Sequence, residues 1–364
     1  MKKIYLYLLP LVLFVPTITF GADRIPPIKS GFGTHIFNAT NTPSIKALAF
    51  TPDGKELWGT SLLNNKIGTF VFDAATGAKK NIINLENGGG VELVFSKDGT
   101  KVYISQMETA KVFELDTTTK QILRTFKTGG NWTKVLFLSE DGKTLYATNW
   151  LSNDVSVIDI ETGVLLKKIK TIKTPRGVYV TDDNKNMYVV SFDTGELQKI
   201  NLLTNEKKII YNSKGALRHI VADAKNNVLY ISDMLKGLIY KVNIKDDSVT
   251  NFTTTDSHPN TIELMYDAKV LAVSSRGVNN KKSYSLPGPT WGSIQLFDTT
   301  NGNLIDSIIG GNQPTALGIA SSTVAFSNFL DKSIEAYQFS SYDTLLQKSA
   351  SSTWVKDYKK YLIK

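Results

Sequence analysis

The stretch Lys134–Lys168, KVLFLSEDGKTLYATNWLSNDVSVIDIETGVLLKK, decides the fold. It opens with the apolar run Lys134–Leu138 and turns at Glu140-Asp141-Gly142. A second run, Thr144–Thr148, follows and ends in Tyr-Ala-Thr-Asn. A polar loop leads to an alternating run that closes at Ile158-Asp159, and Thr162-Gly163 turns the chain into a fourth. Runs of four to six β-branched and aromatic residues, separated by Asp-Gly and Thr-Gly pairs, read as short antiparallel strands joined by tight turns. Four such strands make one propeller blade, and the pattern returns at the spacing of about 40 to 45 residues expected for blades.

Working outward, the same order recurs along the chain. Innermost strands are expected at Lys46–Phe50, Val91–Phe95, Lys134–Leu138, Arg176–Val180, Arg218–Ala222, Thr261–Met265 and Thr315–Ile319. Each is followed by a second strand and by a third that ends at Asp, Asn or Gln. The last repeat supplies three strands before the chain leaves it near Phe339, and Thr34-His35-Ile36-Phe37 stands unassigned ahead of the first. Using that segment as the outermost strand of the last blade closes the ring and leaves no free edge to aggregate. The expectation is an all-β, seven-bladed propeller of four-stranded antiparallel blades over 23–340. The aspartates of Pro52-Asp53-Gly54, Lys97-Asp98-Gly99 and Glu140-Asp141-Gly142 are then turn formers rather than catalytic acids.

Two ends fall outside the pattern. Residues 1–22 begin with Lys2 and Lys3, continue through a nearly unbroken apolar run to Phe20, and end in Gly21-Ala22. That is the layout of a secretory signal peptide, and it points to an exported product, periplasmic, surface-held or extracellular, with no transmembrane span after processing. In the tail, 341–364, Leu345, Leu346, Trp354, Tyr358 and Tyr361 fall at roughly helical spacing with Lys356, Lys359 and Lys360 between them. A terminal helix is expected there, packed on the rim or laid against a membrane or partner.

Composition narrows the chemistry. The 364 residues contain no cysteine, which excludes disulfides, thiolate catalysis, thiolate-bound metals and covalent c-type haem. The net charge of +9 favours anionic partners. The aromatic residues read as core strand positions, so a base-stacking platform for nucleic acid is not indicated.

The segment Leu145-Tyr-Ala-Thr-Asn149, with Asp154-Val-Ser-Val-Ile-Asp159 and Thr162-Gly163, resembles the YVTN repeat. Tyr103-Ile-Ser-Gln106, Tyr188-Val-Val-Ser191 and Tyr230-Ile-Ser-Asp233 are weaker copies, and Pro175-Arg176-Gly177-Val178 is similar to the opening of that repeat. The resemblance runs from about Pro43 to Phe339. It implies an exported or surface propeller within a wider group that includes quinoprotein, cytochrome-d1-type and lactonase propellers. One scaffold carries many activities, so the resemblance implies a fold before it implies a reaction. A haem role would need axial ligands, and beyond 1–22 the histidines are His35, His219 and His258.

In a propeller the starts of the innermost strands gather at one mouth of the central channel, where ligands bind. Lys46, Val91, Lys134, Arg176, Arg218, Thr261 and Thr315 are placed there as one equivalent position, four of the seven basic. Loops after the second strands are expected to add Gln106, Asn149, Trp150, Phe192, Asp233, Met234 and Asn328. Blade six carries a long insertion over 275–292, rich in Pro, Gly, Tyr and Trp, that reads as an ordered lid with Arg276, Tyr284 and Trp291 facing the channel or a partner. His219, beside Arg218, maps to the same face. The reading is a non-catalytic binder of an anionic small molecule, a glycan or cell-wall component, or a protein. It uses Lys46, Lys134, Arg176, Arg218, His219, Asn149, Asp233, Arg276, Tyr284 and Trp291 and needs no cofactor. Two alternatives stand beside it. One is a metal-dependent lactonase with Glu92 or Glu263, Asn149 and Asp233 around a divalent cation. The other is the propeller subunit of a quinoprotein-type redox complex. Glu92 and Glu263 could also neutralise the basic ring from within.

Overall fold

A computed structural model describes residues 29–62 and 67–364. The expected signal peptide lies outside the described residues. Among those described, no helix is long and apolar enough to cross a membrane.

Seven four-stranded antiparallel sheets form the ring. Blade one starts at Ile45–Phe50, blade two at Leu93–Phe95 and blade three at Thr133–Leu138. Blades four to seven start at Pro175–Val180, Leu217–Asp223, Pro259–Met265 and Pro314–Ala320. The outermost strand of blade seven is Thr34–Ala39, paired antiparallel with Ser333–Gln338, so the closure expected from the unassigned N-terminal segment is the one found.

The turns between first and second strands show why their sequences recur. Asp53, Asp98, Asp141 and Asp183 each accept from a hydroxyl two residues back, at Thr51, Ser96, Ser139 and Thr181. Each also accepts from a backbone N–H two residues on. The residue after each aspartate, Gly54, Gly99, Gly142 or Asn184, has φ of 72°, 71°, 71° and 55°, the left-handed region that glycine and asparagine tolerate.

The hydroxyl in the Tyr-x-Thr-Asn signature has a second task. Thr60, Ser105, Thr148, Ser232, Ser274 and Ser327 occupy the same position in six second strands. Each hydroxyl accepts from an N–H of its own innermost strand. Each also donates, over 2.5–3.3 Å, to a carbonyl of the next blade's innermost strand. The bond from Ser327 to Ile45 O joins blade seven to blade one. These buried bridges sit between apolar clusters such as Trp58, Val71, Val102 and Phe113, which fill the space between neighbouring sheets. Blade four has Val190 instead, fully buried, so its junction with blade five lacks the bridge. Val190→Thr is isosteric and supplies both bonds. It is expected to stabilise the protein by about 1 kcal/mol in a denaturant titration, whereas Thr148→Val costs a similar amount or more. Loss of stability in Val190→Thr would show that the hydroxyl position is incidental.

The tail is not one helix. Tyr342–Ser351 is helical, capped by Ser341, and Trp354–Asp357 and Tyr358–Tyr361 form two short turns beyond a break. Leu345 is buried against blades six and seven. Trp354 Nε1 donates to Ser307 O at 2.8 Å, and Tyr358 is fully buried with Trp291, Ile309 and Leu362. The aromatic spacing therefore serves packing on the rim of blade six.

Candidate functional site

The channel mouth holds a cavity of about 620 Å³. Two concentric sets of residues line it. The inner set is the second residue of innermost strands: Lys46, Lys134, Arg176, Arg218 and Thr315, with Val91 in blade two. The outer set is the residue immediately after each second strand: Leu62, Met107, Trp150, Phe192, Met234, Arg276 and Phe329. A cationic floor thus sits inside a collar that is apolar in every blade but the sixth.

Period-two alternation explains which expected residues join the cavity. Trp150, Phe192 and Met234 do. Gln106, Asn149, Asp233 and Asn328 each stand one residue earlier, at the strand end, and their side chains are buried. Asn149 Nδ2 donates to Asp154 and Ser156, and its Oδ1 accepts from Thr133 Oγ1 at 2.7 Å. Asp233 Oδ1 accepts from the backbone N–H groups of Ala216, Leu235 and Lys236. Both shape their own loops and do not line the mouth. His219 is likewise one step past Arg218. Its Nδ1 lies 3.1 Å from Ile262 O in the next blade, and burial first, then Arg218 and Arg176, lower its pKa to about 4. The blade-six equivalent of Lys134 is Asn260, not Thr261, because the N–H of Thr261 meets Ser274 Oγ as the N–H of Val135 meets Thr148 Oγ1.

The long loop of blade six does cover the mouth, but Trp291 does not face the channel. Its indole packs into the tail with Tyr358 and Leu362, where an apolar ring has more to bury. Arg276 and Tyr284 line the cavity. Arg276 Nη2 donates to Gln313 Oε1, Gln313 Nε2 donates to Tyr284 O, and the Arg276 guanidinium lies 5.9 Å from the Tyr284 ring. The loop is folded on itself: Val278 N donates to Thr290 Oγ1 at 2.8 Å, and a Cβ at Gly288 would collide with Val278 O.

The electrostatics of the floor are one-sided. Arg176 is 5% exposed, and Arg218 and Lys134 are 8% exposed. Among the described residues, no aspartate or glutamate lines the cavity. Among the described residues, no side-chain hydrogen bond or ion pair joins Lys46, Lys134, Arg176 or Arg218 to any acid. Two of these cations do have an aromatic ring: Lys134 Nζ lies 3.2 Å, and Arg176 Cζ 5.3 Å, from the centroid of Trp150. Glu92 and Glu263 are deeper in the channel. Burial pushes Glu92 up against the pull of Arg176 and Lys46, and burial with Glu92 nearby raises Glu263 to about 8. Their fields reach the ring without contact pairing. Burial, with Arg218 and then Arg176 and Arg276 nearby, drives Lys46 well below the usual lysine range. The divalent-cation donor set does not assemble: Asn149 and Asp233 Oδ1 are bonded within their own blades, and no three His, Asp or Glu side chains converge among the described residues.

Comparison with known proteins adds to this geometry. Residues 38–209 match the family described as Lactonase, 7-bladed beta-propeller. The chain is 30% identical over 260 residues to Antigen Lp49 of Leptospira interrogans serogroup Icterohaemorrhagiae serovar copenhageni (strain Fiocruz L1-130). The chain is a seven-bladed β-propeller, similar over 38–209 to the lactonase propellers. This propeller shares 69% of its own length with the Leptospira antigen but spans only 57% of that relative. Hydrazine synthase of Kuenenia stuttgartiensis superposes on 83% of this propeller and 97% of its own chain, with a TM-score of 0.69 and 16% identity, a likeness of fold alone.

Proposed function

We propose that this protein is an exported, non-catalytic propeller that binds an anionic small molecule at the channel mouth, beneath the blade-six loop. The single observation that carries the reading is the set of five basic side chains, Lys46, Lys134, Arg176, Arg218 and Arg276, lining one cavity with no lining acid among the described residues. Convergent like charges in a partly water-excluded site repel, and a bound anion relieves that cost. The apolar collar suits a ligand whose charged end enters first and whose ring or chain contacts Trp150 and Phe192. Export rests on the N-terminal sequence. The lactonase match favours a second reading, ester hydrolysis at the same mouth, but the donors of a metal-dependent version do not converge here.

Citrate and pyrophosphate are the test ligands, added to the purified protein at fixed ionic strength. The expected result is a rise in melting temperature that sodium chloride does not reproduce. Arg176→Gln and Arg218→Gln should each weaken binding at least about tenfold, the lower end of what loss of a buried charge pair costs. Equal shifts from chloride, or unchanged affinity in both variants, would sink the reading.

A further inference from the structure

The five cations differ in one chemical respect. A guanidinium holds its proton under all physiological conditions, whereas an ammonium can release one. A crowded, unpaired ring without its ligand therefore sheds charge at its lysines. Lys134 is the best placed of the two. Its Nζ sits on the Trp150 indole at 3.2 Å, next to an arginine that shares the same ring, and it is 8% exposed with its accessible surface in the cavity. The acid that acts on it, Glu108, is on the exposed loop of blade two and offsets the effect only partly. Burial foremost, then Arg176 and Arg218, bring the amine down to about 5. The attraction of the indole face for a cation works against this without reversing it.

A neutral amine flanked by fixed cations is more than an anion clamp. Desolvated lysines beside other cations are the ones that form Schiff bases with carbonyl compounds. We propose that Lys134 captures anionic aldehydes or 2-oxo acids as an imine, with Arg176 and Arg218 holding the anionic group. This rests on the anion-binding reading of the same cavity. The nitrogen lone pair attacks the carbonyl carbon, and a nitrogen proton moves to the oxygen to give a carbinolamine. The second nitrogen proton then leaves with that hydroxyl as water, and the carbon–nitrogen double bond forms. Nothing is oxidised or reduced, and no co-reactant is needed. On protonation, the iminium lies against the face of Trp150, with its charge balanced by the anion it carries. The apolar collar of Met107, Phe192 and Met234 limits water around the bond, which slows hydrolysis.

Pyridoxal 5′-phosphate, an anionic aldehyde, is the probe, and pyridoxine 5′-phosphate, the alcohol of similar shape and charge, is its control. The full protein is treated with the aldehyde, reduced with borohydride, digested and mapped by mass spectrometry. The label is expected on Lys134 at about ten times the mean of the other lysines, reflecting its far larger neutral fraction at pH 7. The alcohol should compete the label away, and Lys134→Arg should lose it. Mapping the unaltered protein decides the matter even if that variant misfolds. Binding of both compounds with labelling spread over surface lysines, or centred on Lys46, overturns the imine assignment and leaves the anion site standing. Binding of neither overturns both.

Discussion

Replacing Arg218 with methionine is expected to raise the melting temperature of the ligand-free protein while removing its response to anions. Arg218 enters the floor of the mouth from the start of blade five. Burial foremost, then Arg176 and Arg276, disfavour its charged form, and no hydrogen bond or ion pair to an acid compensates among the described residues. Since a guanidinium does not yield its proton, that cost stays in the folded state. Moving an ion out of water costs several kcal/mol even after relaxation, and replacing even a paired set of buried charges by apolar side chains of similar volume is often stabilising by about 1–4 kcal/mol. The open cavity hydrates part of the guanidinium, so the lower half of that range, about 1–2 kcal/mol, is the expected gain. With citrate or pyrophosphate at one hundred times its dissociation constant, the unaltered protein gains about 2.7 kcal/mol, and a variant that binds a hundredfold more weakly gains about 0.4 kcal/mol. The order of stability should therefore reverse between ligand-free and saturated samples. Differential scanning calorimetry with and without ligand reads this directly. A ligand-free variant that melts below the parent would mean that Arg218 is a packing residue, and the cations would lose their significance as a site built at the expense of stability.

The ring itself was legible because propeller symmetry turns equivalent sequence positions into neighbours. Lys46, Lys134, Arg176 and Arg218 come from blades one, three, four and five, yet one position in the repeat gathers them. The seventh blade was legible for the related reason that three strands demand a fourth. What failed was orientation at single-residue resolution. In a strand, adjacent side chains point to opposite faces, so an alignment off by one residue exchanges a cavity wall for a buried loop brace. From sequence Asn149 and Asp233 read as loop residues of the mouth together with Trp150, whereas only Trp150 lines it, joined by Met107 and Phe329, each directly following its strand. The available signal was the recurrent polar residue that ends the second strands. Gln106, Asn149, Asp233 and Asn328 are buried with their loops, and only the next residue is free to face the channel. Trp291 failed for another reason. Nothing in its own loop indicates that residues more than sixty positions later bury it, because that pairing is tertiary.

That tertiary pairing yields the second large effect: a chain ending at Tyr361 should keep the propeller and lose control of the lid. Ring closure depends on Thr34–Ala39 pairing with Ser333–Gln338, far from the tail. The lid depends on the tail's last residues. Trp291 N donates to Leu362 O at 2.8 Å, Thr290 bridges to Ile363, and Lys364 N donates to Pro289 O. The Lys364 ammonium also lies 4.2 Å from the Trp291 centroid. Upstream, Tyr358 anchors this strap. Its hydroxyl donates to Asp256 at 3.0–3.1 Å and accepts from Gln295 Nε2, while burial and Asp256 push its pKa up so that it stays a donor. Truncation removes the two backbone bonds and the Ile363 bridge while leaving that anchor in place. Amide exchange over 276–292 should accelerate at least tenfold, since each backbone bond in a partly exposed strap contributes about 1 kcal/mol. Anion release should quicken with it, because Arg276 and Tyr284 are carried by the same loop. Tyr358→Ala goes further. It leaves Asp256 and Gln295 without their partner and a cavity beside Trp291, at a cost of about 3–5 kcal/mol. Exchange in the loop that is identical in the truncated and full chains would show that the lid holds itself, through Thr290 and Gly288 alone, and that the tail is only packing. Faster exchange confined to 276–292, with the blades unchanged, would instead identify the strap as what keeps the mouth covered.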